Sequence, residues 1–297
     1  MHYFIFPSKD SYITEDSPGH IILYPNSTTR NYGSDEILEL KKEFVNSYST
    51  ASYNVSRMLT QFDYSDISAS IVDGTITSPK YYLRYYEVEG QSELDKTYSL
   101  SSNPISQSWE EGVGKHFDNP KTKKGVTWTD YNSGSAWSLG GSNSYSGSRT
   151  IGGGVWMTGS GYACSQSFQN QSGDIELNVT DIVNKHLDST IPNYGFITKF
   201  SGSYEDDGTV LNLKFFSRNT HTIYAPKLEV RWDDHKPVTG SNTGSLNSLT
   251  MSGELENRIF IKGLQSSYRE SEKVRFRVGC RKKYTQKTFT ESMLSSS

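Results

Sequence analysis

The side chains that most often carry catalysis show no productive spacing in this sequence. The Gly152–Gly154 run lacks the lysine and the helix that a phosphate-binding loop needs, and no Gly-x-Ser-x-Gly motif occurs. The histidines form no His-Glu-x-x-His motif and no paired spacing; they are His2, His20, His116, His186, His221 and His235. The sequence therefore predicts a protein with no enzymatic activity, cofactor or bound metal.

The acidic residues do not form an acid–base pair either. Glu110 and Glu111 are adjacent, so their side chains would point apart in a strand, and Asp206-Asp207 precedes Gly208 as a turn would. Asp63 and Asp66 could bind a cation, but short carboxylates at such a place more often cap turns. We interpret His186 as a packed or interfacial residue of a short helix rather than as a base.

Aromatic residues are the candidates for ligand binding. Exposed tryptophan and tyrosine rings on a β-sandwich can stack on sugar rings, and Trp128, Tyr131 and Trp137 are the candidates. A position in the protein core is the competing interpretation for Trp128 and Trp137, as it is for Trp109. Both interpretations remain open at the level of the sequence.

Other features predict contacts with protein partners. Segment 138–154, rich in Gly, Ser and Asn, is predicted to be a mobile or partner-held loop, and tryptophans flank it. Arginines near the end of the chain form a basic stripe that would meet an acidic surface, although a solvated strand face would look the same. The contact candidates are Trp137, Trp156, Arg275, Arg277 and Arg281.

The elements that must position these residues are mainly strands. Hydrophobic residues are 33% of the chain, yet 20 Tyr, 13 Phe and 5 Trp supply large side chains that favour strands. Segment 174–200 shows a strand with period two, then a short helix around 182–187, an Asn-Tyr-Gly corner and a second strand. We expect an all-β, jelly-roll-like antiparallel β-sandwich with one short helix. A similar corner at 31–33 is expected to start a strand next to the one that follows 193–195.

A shift in composition divides the chain. Pro, Gly, Ser, Thr and Asn dominate 233–247, which predicts a sandwich over 1–234, a linker over 235–250 and a small basic β module over 251–297. From Lys236 onward 11 Lys/Arg face 5 Asp/Glu, a balance of +6, which leaves 19 basic and 28 acidic residues before it, a balance of −9. The last module is short for a sandwich. We therefore expect one of three arrangements: the module packs on the first domain, other chains complete it, or the sequence stops inside a larger protein.

Several classes of protein are disfavoured. The net charge of −3 gives no nucleic-acid or membrane signature, and Cys164 and Cys280 form neither a disulfide framework nor a metal motif. No apolar run is long enough to span a bilayer. The first residues lack the pattern of a secretory signal.

Short motifs in a fixed order carry a family resemblance. They are Asp10–Ile13, Asn31–Leu38, Met58–Asp63, Trp109–Gly112, Val126–Thr129, Asn178–Val183, Asn193–Phe196 and Phe216–Ser217. Over about residues 1–234 this order resembles the DNRLRE domain family. The resemblance implies a jelly-roll β-sandwich of the carbohydrate-binding-module type. The family is found on cell-surface and secreted proteins and in phage structural proteins.

The chain as a whole also resembles virion structural proteins of tailed bacteriophages, and the two resemblances imply two possible functions. The first is a structural component of a tailed-bacteriophage particle, in the tail, the neck or collar, or attached to the capsid. Such a protein is made in the host cytoplasm and works in the virion through contacts with other virion proteins and with its own copies. The second is a glycan-binding module of a cell-surface or secreted protein, with a host surface glycan as its partner. The missing secretory signal and scarce cysteines favour the first, and neither involves nucleic acid or membrane insertion.

Overall fold

The computed structural model describes residues 1–15, 27–47, 50–89, 94, 96–138, 144–145, 152–233, 257–265, 267–270 and 273–282. The chain divides into two compact units, Met1–Asp234 and His235–Ser297. The proposed linker 235–250 lies outside the described residues. Among the described elements, the first unit holds every helix and all strands except the last two.

The described residues are mostly in strands. In chain order the strands are β1 (His2–Ile5), β2 (Pro7–Thr14), β3 (Ile37–Ser47), β4 (Thr50–Phe62), β5 (Lys80–Tyr85), β6 (Thr97–Pro104), β7 (Asp130–Asn132), β8 (Ser135–Ala136), β9 (Ser144–Tyr145), β10 (Trp156–Met157), β11 (Cys164–Gln169), β12 (Ile175–Asn178), β13 (Phe196–Phe200), β14 (Leu211–Phe216), β15 (Lys227–Arg231), β16 (Asn257–Lys262) and β17 (Arg277–Lys282). The helices are α1 (Ser65–Val72), α2 (Thr180–Leu187) and the single turn α3 (Ser203–Asp206), with a 3-10 turn at Ser27–Thr29.

Two large antiparallel sheets form the body of the first unit, which also contains the two-stranded pairs β7-β8 and β9-β10. The smaller has the strand order β1-β15-β5-β12. The larger has the order β11-β6-β13-β4-β3-β14, and the long β4 pairs with β3 along its first half and with β2 along its second. This arrangement confirms the predicted all-β antiparallel sandwich. The structure contains more than the one short helix that the sequence predicts. One addition is α1, which begins where the Asp63 carboxylate accepts a hydrogen bond from the Ser65 amide at 3.0 Å.

The main core contains alternate residues of both sheets. On β5 the side chains of Tyr81, Leu83 and Tyr85 are buried, whereas the residues between them are half-buried. Their neighbours in the core include Leu177 of β12 and Phe196 of β13. This packing follows directly from the period of a strand, which places every second side chain on one face.

Segment 174–200 folds largely as predicted. α2 follows β12, and Ile182, Val183 and His186 are its buried residues. The helix begins without a side-chain hydrogen bond from its N-cap residue, Val179. Instead, the Asn178 side-chain oxygen accepts the amide of Thr180 at 3.1 Å and its hydroxyl at 2.6 Å. A polar residue two positions earlier therefore fixes the entry into the helix.

The corner at 193–195 is clipped to β4. The Asn193 amide donates to the Phe62 carbonyl at 2.8 Å, and Gln61 donates back to the Asn193 carbonyl at 2.7 Å. Gly195 has φ +89°, and a Cβ there would overlap the Thr60 carbonyl. Only glycine fits such a close approach in a left-handed conformation.

The expectation that the two corners start neighbouring strands is wrong. The corner at 31–33 precedes β3, the corner at 193–195 precedes β13, and β4 lies between these strands in the sheet. Asn31 is bound elsewhere, since its amide donates to the carbonyls of Glu111 and Val126, both at 2.7 Å. The same tripeptide therefore fastens two different segments.

The described part of the second unit is a β-hairpin. β16 and β17 pair in register from Asn257 opposite Lys282 to Lys262 opposite Arg277. β17 begins at Arg277, so Arg275 of the basic stripe precedes the strand.

Candidate functional site

The tryptophans proposed for binding lie in a second core. Residues of the crossover between β6 and β11 cover the outer face of the larger sheet, the face turned away from the smaller sheet. We call this cluster the outer core; its members are Ile13, Val55, Leu59, Ile105, Trp109, Val126, Trp128, Trp137, Val155, Trp156 and Ile197. The exposed fractions of Trp128, Trp137 and Trp156 are 2%, 8% and 2%.

This burial corrects two expectations. Trp128 and Trp137 leave no ring face for stacking on a sugar, and Trp137 and Trp156 are not surface anchors for a partner. The indole N–H of Trp137 donates to the Thr127 carbonyl at 3.1 Å, as a buried tryptophan requires. Tyr131, the third sugar candidate, is half-buried and packs with its ring centroid 6.2 Å from that of Trp137.

The end of the predicted loop 138–154 is packed inside the protein. Gly152, Gly153 and Gly154 are buried and have φ angles of +100°, +81° and +84°. The Gly153 amide donates to the Trp128 carbonyl at 2.6 Å. The glycine run thus brings the chain close to the outer core, while residues 139–143 and 146–151 lie outside the described part.

A buried arginine is the polar centre of the outer core. The Arg57 guanidinium lies 4.9 Å from the ring centroids of both Trp128 and Trp156. It donates to the Gly153 carbonyl at 2.5 Å and forms an ion pair with Glu205. Stacking on two rings and pairing with a carboxylate satisfy a charge that would otherwise be very unfavourable in the interior.

The basic candidates lie in the second unit. Arg275 and Arg277 are exposed, whereas the side chain of Arg281 lies outside the described residues. Opposite residues of an antiparallel pair share a face. The pairs Ile259–Cys280 and Ile261–Val278 therefore form one apolar face of the hairpin, and all four residues are exposed.

A cavity that no sequence pattern predicts lies beside β3 and β14. Its volume is about 560 Å³, and we call it the His116 cavity. Its lining includes Tyr12 of β2, Glu36 and Glu39, Lys214 of β14 and loop 115–118. These residues come from four separate segments, which only the folded sheet brings together.

Hydrogen bonds hold the loop of the His116 cavity in place. The Asp35 carboxylate accepts the His116 amide with both oxygens, at 3.0 and 3.1 Å, and burial raises the pKa of Asp35. The Asp118 carboxylate accepts the Lys115 amide at 2.9 Å, and this bond lowers the pKa of Asp118. The Tyr12 hydroxyl lies 3.4 Å from Nδ1 of His116.

Aromatic rings, two of them half-buried, continue from the cavity across β14. Phe216 is the cross-strand partner of Ile37, which lines the cavity. The ring of Phe216 stacks on Tyr224 with a centroid distance of 5.9 Å, and Tyr224 lies 5.5 Å from Tyr86. We call Tyr86, Phe216 and Tyr224 the aromatic strip.

His186 is a packed residue in the structure. It is buried, its Nδ1 lies 3.2 Å from the Tyr64 hydroxyl, and burial lowers its pKa to about 4. Across the described ranges, no three His, Cys, Asp or Glu side chains are grouped as a metal site would need. No helix in that part of the chain is long and apolar enough to cross a membrane.

Neither a protein-family model nor a curated protein matches this sequence.

Proposed function

We propose that this protein is a non-enzymatic structural component of a bacteriophage particle, located in the tail, the neck or collar, or on the capsid. It acts through contacts with other virion proteins and with copies of itself. The observation that carries the proposal is the exposed apolar face of the second unit's hairpin. The resemblance of the motif order over about residues 1–234 to a family that includes phage structural proteins supports the same function.

The hairpin has the properties of a surface that a partner covers. Ile259 is 70% exposed and Val278 68% exposed, and Ile261 lies between them on the same face. Burying one such side chain contributes about 1.5–3 kcal/mol. An isolated two-stranded hairpin is at best marginally stable in water. Contact with another subunit would therefore bury the apolar face, and this burial would stabilise the hairpin.

Charge favours contacts between copies of the chain. The part from Lys236 onward carries +6 and the part before it −9. The exposed Lys262 and Arg277 occupy opposite positions on the hairpin and belong to the basic part. Opposite charges on the two surfaces would orient and accelerate association. We expect the contact to weaken as the salt concentration rises.

The first experiment measures the mass of the full chain by light scattering over a range of concentrations. We expect oligomers, and we expect the double substitution Ile259→Asp with Val278→Asp to reduce them to monomers. Ile223→Asp is the matched control, because Ile223 is 82% exposed in the first unit. A wild-type chain that stays monomeric, or oligomers that survive the double substitution, would contradict hairpin-driven assembly.

The second experiment tests whether this chain is a component of the phage particle. Mass spectrometry of purified phage should detect the chain, and reversing the charge at Arg275 and Arg277 to Glu should lower its amount per particle. The first unit of the variant should remain folded. If the reversed variant enters particles at the wild-type level, the basic residues are not the docking element.

A further inference from the structure

We propose that the β16-β17 hairpin of one copy adds as a pair of strands to the free edge of β1 in another copy. This inference rests on the proposed function and deepens it, because it names the surface that receives the hairpin. β1 ends the smaller sheet, and among the described strands only β15 pairs with it. An exposed edge strand is a template on which a strand of another chain can pair.

The backbone of β1 offers hydrogen bonds along this edge. The Trp232 amide donates to the Met1 carbonyl at 3.2 Å, and the Met1 amino group donates to the Trp232 carbonyl at 2.6 Å. In an antiparallel pair, such doubly bonded residues alternate with residues whose backbone groups point away from the partner strand. His2 and Phe4 occupy these alternate positions. Their N–H and C=O groups therefore face the free edge.

The two sides of the β1 edge differ in character. Ile5 is buried in the core, and Tyr3 shares its face because side chains alternate along a strand. The Tyr3 hydroxyl donates to the Asp66 carboxylate of α1 at 3.1 Å, so α1 lies on this side. Phe4 points to the opposite side and is 43% exposed, and Phe6 is 58% exposed. We call the Phe4 side the apolar side of the edge.

α1 makes the other side acidic. Segment 61–79 includes α1 and contains Asp63, Asp66 and Asp73 but no lysine or arginine. All three aspartates are exposed. We call this the acidic side of the edge. A strand added beside Tyr3 would bring some of its own side chains close to Asp66, and basic side chains would be favoured there.

The hairpin has two sides that match those of the edge. Ile259, Ile261 and Val278 are exposed on one face. Lys262 and Arg277 are opposite each other at alternate positions, so they lie on the other face, and both are exposed. One orientation of strand addition places the aliphatic residues next to the apolar side and the basic residues next to the acidic side. A contact between two hairpins would match the apolar faces alone.

Strand addition would also stabilise the hairpin. A two-stranded hairpin is at best marginally stable in water, whereas three or more strands with an apolar face can be stable. The contact joins different surfaces of identical chains, so each copy can both give a hairpin and receive one. Repetition of such a contact produces a ring or a filament.

Substitutions at Phe4 test the role of the edge. Phe4→Pro removes the outward N–H and the ring but breaks no hydrogen bond to β15, and proline is tolerated at an edge where the N–H faces solvent. Phe4→Ala removes only the ring. Light scattering of the full chain should show association weakened about tenfold or more by Phe4→Pro, and less by Phe4→Ala. Phe44→Ala, on β3 and 49% exposed, is the matched control and should have no effect.

A pair of aspartates tests the acidic side. Asp66 and Asp181 each lie in the first turn of an eight-residue helix, and both are exposed. We expect Asp66→Asn to weaken association about threefold at low salt, and Asp181→Asn to leave it unchanged. Equal effects of the two substitutions would show that the acidic side takes no part, which contradicts the proposed orientation.

Mixing two defective chains tests whether the edge and the hairpin meet. The Phe4→Pro chain keeps an intact hairpin, and the chain with Ile259→Asp and Val278→Asp keeps an intact β1 edge. At a concentration where the wild type is oligomeric, we expect each variant alone to be monomeric. An equal mixture should form dimers with one copy of each variant, because only one functional contact remains. Native mass spectrometry identifies their composition.

The results that would overturn the inference differ from those against assembly itself. A wild-type chain that stays monomeric contradicts both. Oligomers that the hairpin substitutions abolish but Phe4→Pro leaves intact keep the hairpin as the docking element and exclude the β1 edge. A mixture that stays monomeric excludes it as well. If circular dichroism shows that Phe4→Pro unfolds, Phe4→Glu replaces it, since it keeps every backbone donor and places a charge on the apolar side.

Discussion

Arg57 and Glu205 form a bidentate ion pair inside the protein. Nε of Arg57 lies 2.8 Å from Oε1 of Glu205, and Nη2 lies 3.0 Å from Oε2. Arg57 is fully buried and Glu205 is 6% exposed. Because each charge is removed from water, each depends on the other and on the flanking tryptophan rings for compensation.

We expect Glu205→Ala to lower the free energy of unfolding by about 3–5 kcal/mol, since it leaves the Arg57 charge buried and unpaired. Urea unfolding of both chains measures the difference. Glu89→Ala is the control, because its ion pair with Lys214 at 3.5 Å is at the surface and should contribute at most about 1 kcal/mol. Equal effects of the two substitutions would contradict a buried pair.

Trp137→Ala should destabilise the protein by about 3–5 kcal/mol, because it removes a large ring from the outer core. Thermal and urea unfolding measure the loss. Phe117→Ala, which truncates an exposed ring, should change the free energy of unfolding by about 0.5 kcal/mol or less. If Trp137→Ala left stability unchanged, the crossover would not pack on the sheet as described.

Asp10 should make stability fall as pH rises through neutrality. Burial raises the pKa of Asp10 to about 7 from 3.8, while its Oδ2 accepts the Arg218 amide at 2.7 Å. The folded state then binds the proton more tightly than the unfolded state. The contribution of Asp10 is therefore fully present below pH 3.8 and is lost as pH rises through about 7.

Asp10→Asn should flatten the stability profile between about pH 4 and pH 7, where the slope from one such group is at most about 1.4 kcal/mol per pH unit. Urea unfolding at each pH, with the variant subtracted from the wild type, isolates Asp10 from other groups. This subtraction matters because the pKa of Glu111 is also raised by burial, whereas that of His186 is lowered. Parallel profiles for the two chains would refute the assignment.

Gly195→Ala should be more destabilising than Gly74→Ala. Both glycines have positive φ, +89° and +77°, so alanine is strained at either position, by about 1 kcal/mol. Only at Gly195 would the added Cβ also overlap backbone, the Thr60 carbonyl, whereas the space around Gly74 is open. Comparing the free energies of unfolding of the two variants separates the cost of backbone strain from the cost of overlap between the added Cβ and the Thr60 carbonyl. Equal losses would show that the corner can move away from β4.

Hydrophobic periodicity predicts those strands and that helix of the fold that bury only one face. β5, β12 and β14 alternate between buried and more exposed residues, and each was recognisable as a strand because its apolar residues recur every second position. α2 was recognisable from its buried stripe at helical spacing. In these segments the sequence within a few residues determines the structure.

The outer core could not be predicted in the same way. Arg57 and Glu205 are 148 residues apart, and the crossover that covers them is rich in the small and polar residues typical of exposed loops. Its burial is decided by long-range contacts rather than by local pattern. The His116 cavity has the same origin, because Tyr12, Glu39 and His116 meet only after the sheet forms.

The buried glycine run 152–154 limits how this protein can be engineered. A side chain at Gly152 would overlap the Trp128 carbonyl, and one at Gly153 would overlap the Arg57 guanidinium. An epitope tag or a displayed peptide inserted there would push the crossover away from the sheet, even though a run of glycines is typical of exposed loops. Gly134, at the turn between β7 and β8, has open space around it and is the better place for a graft.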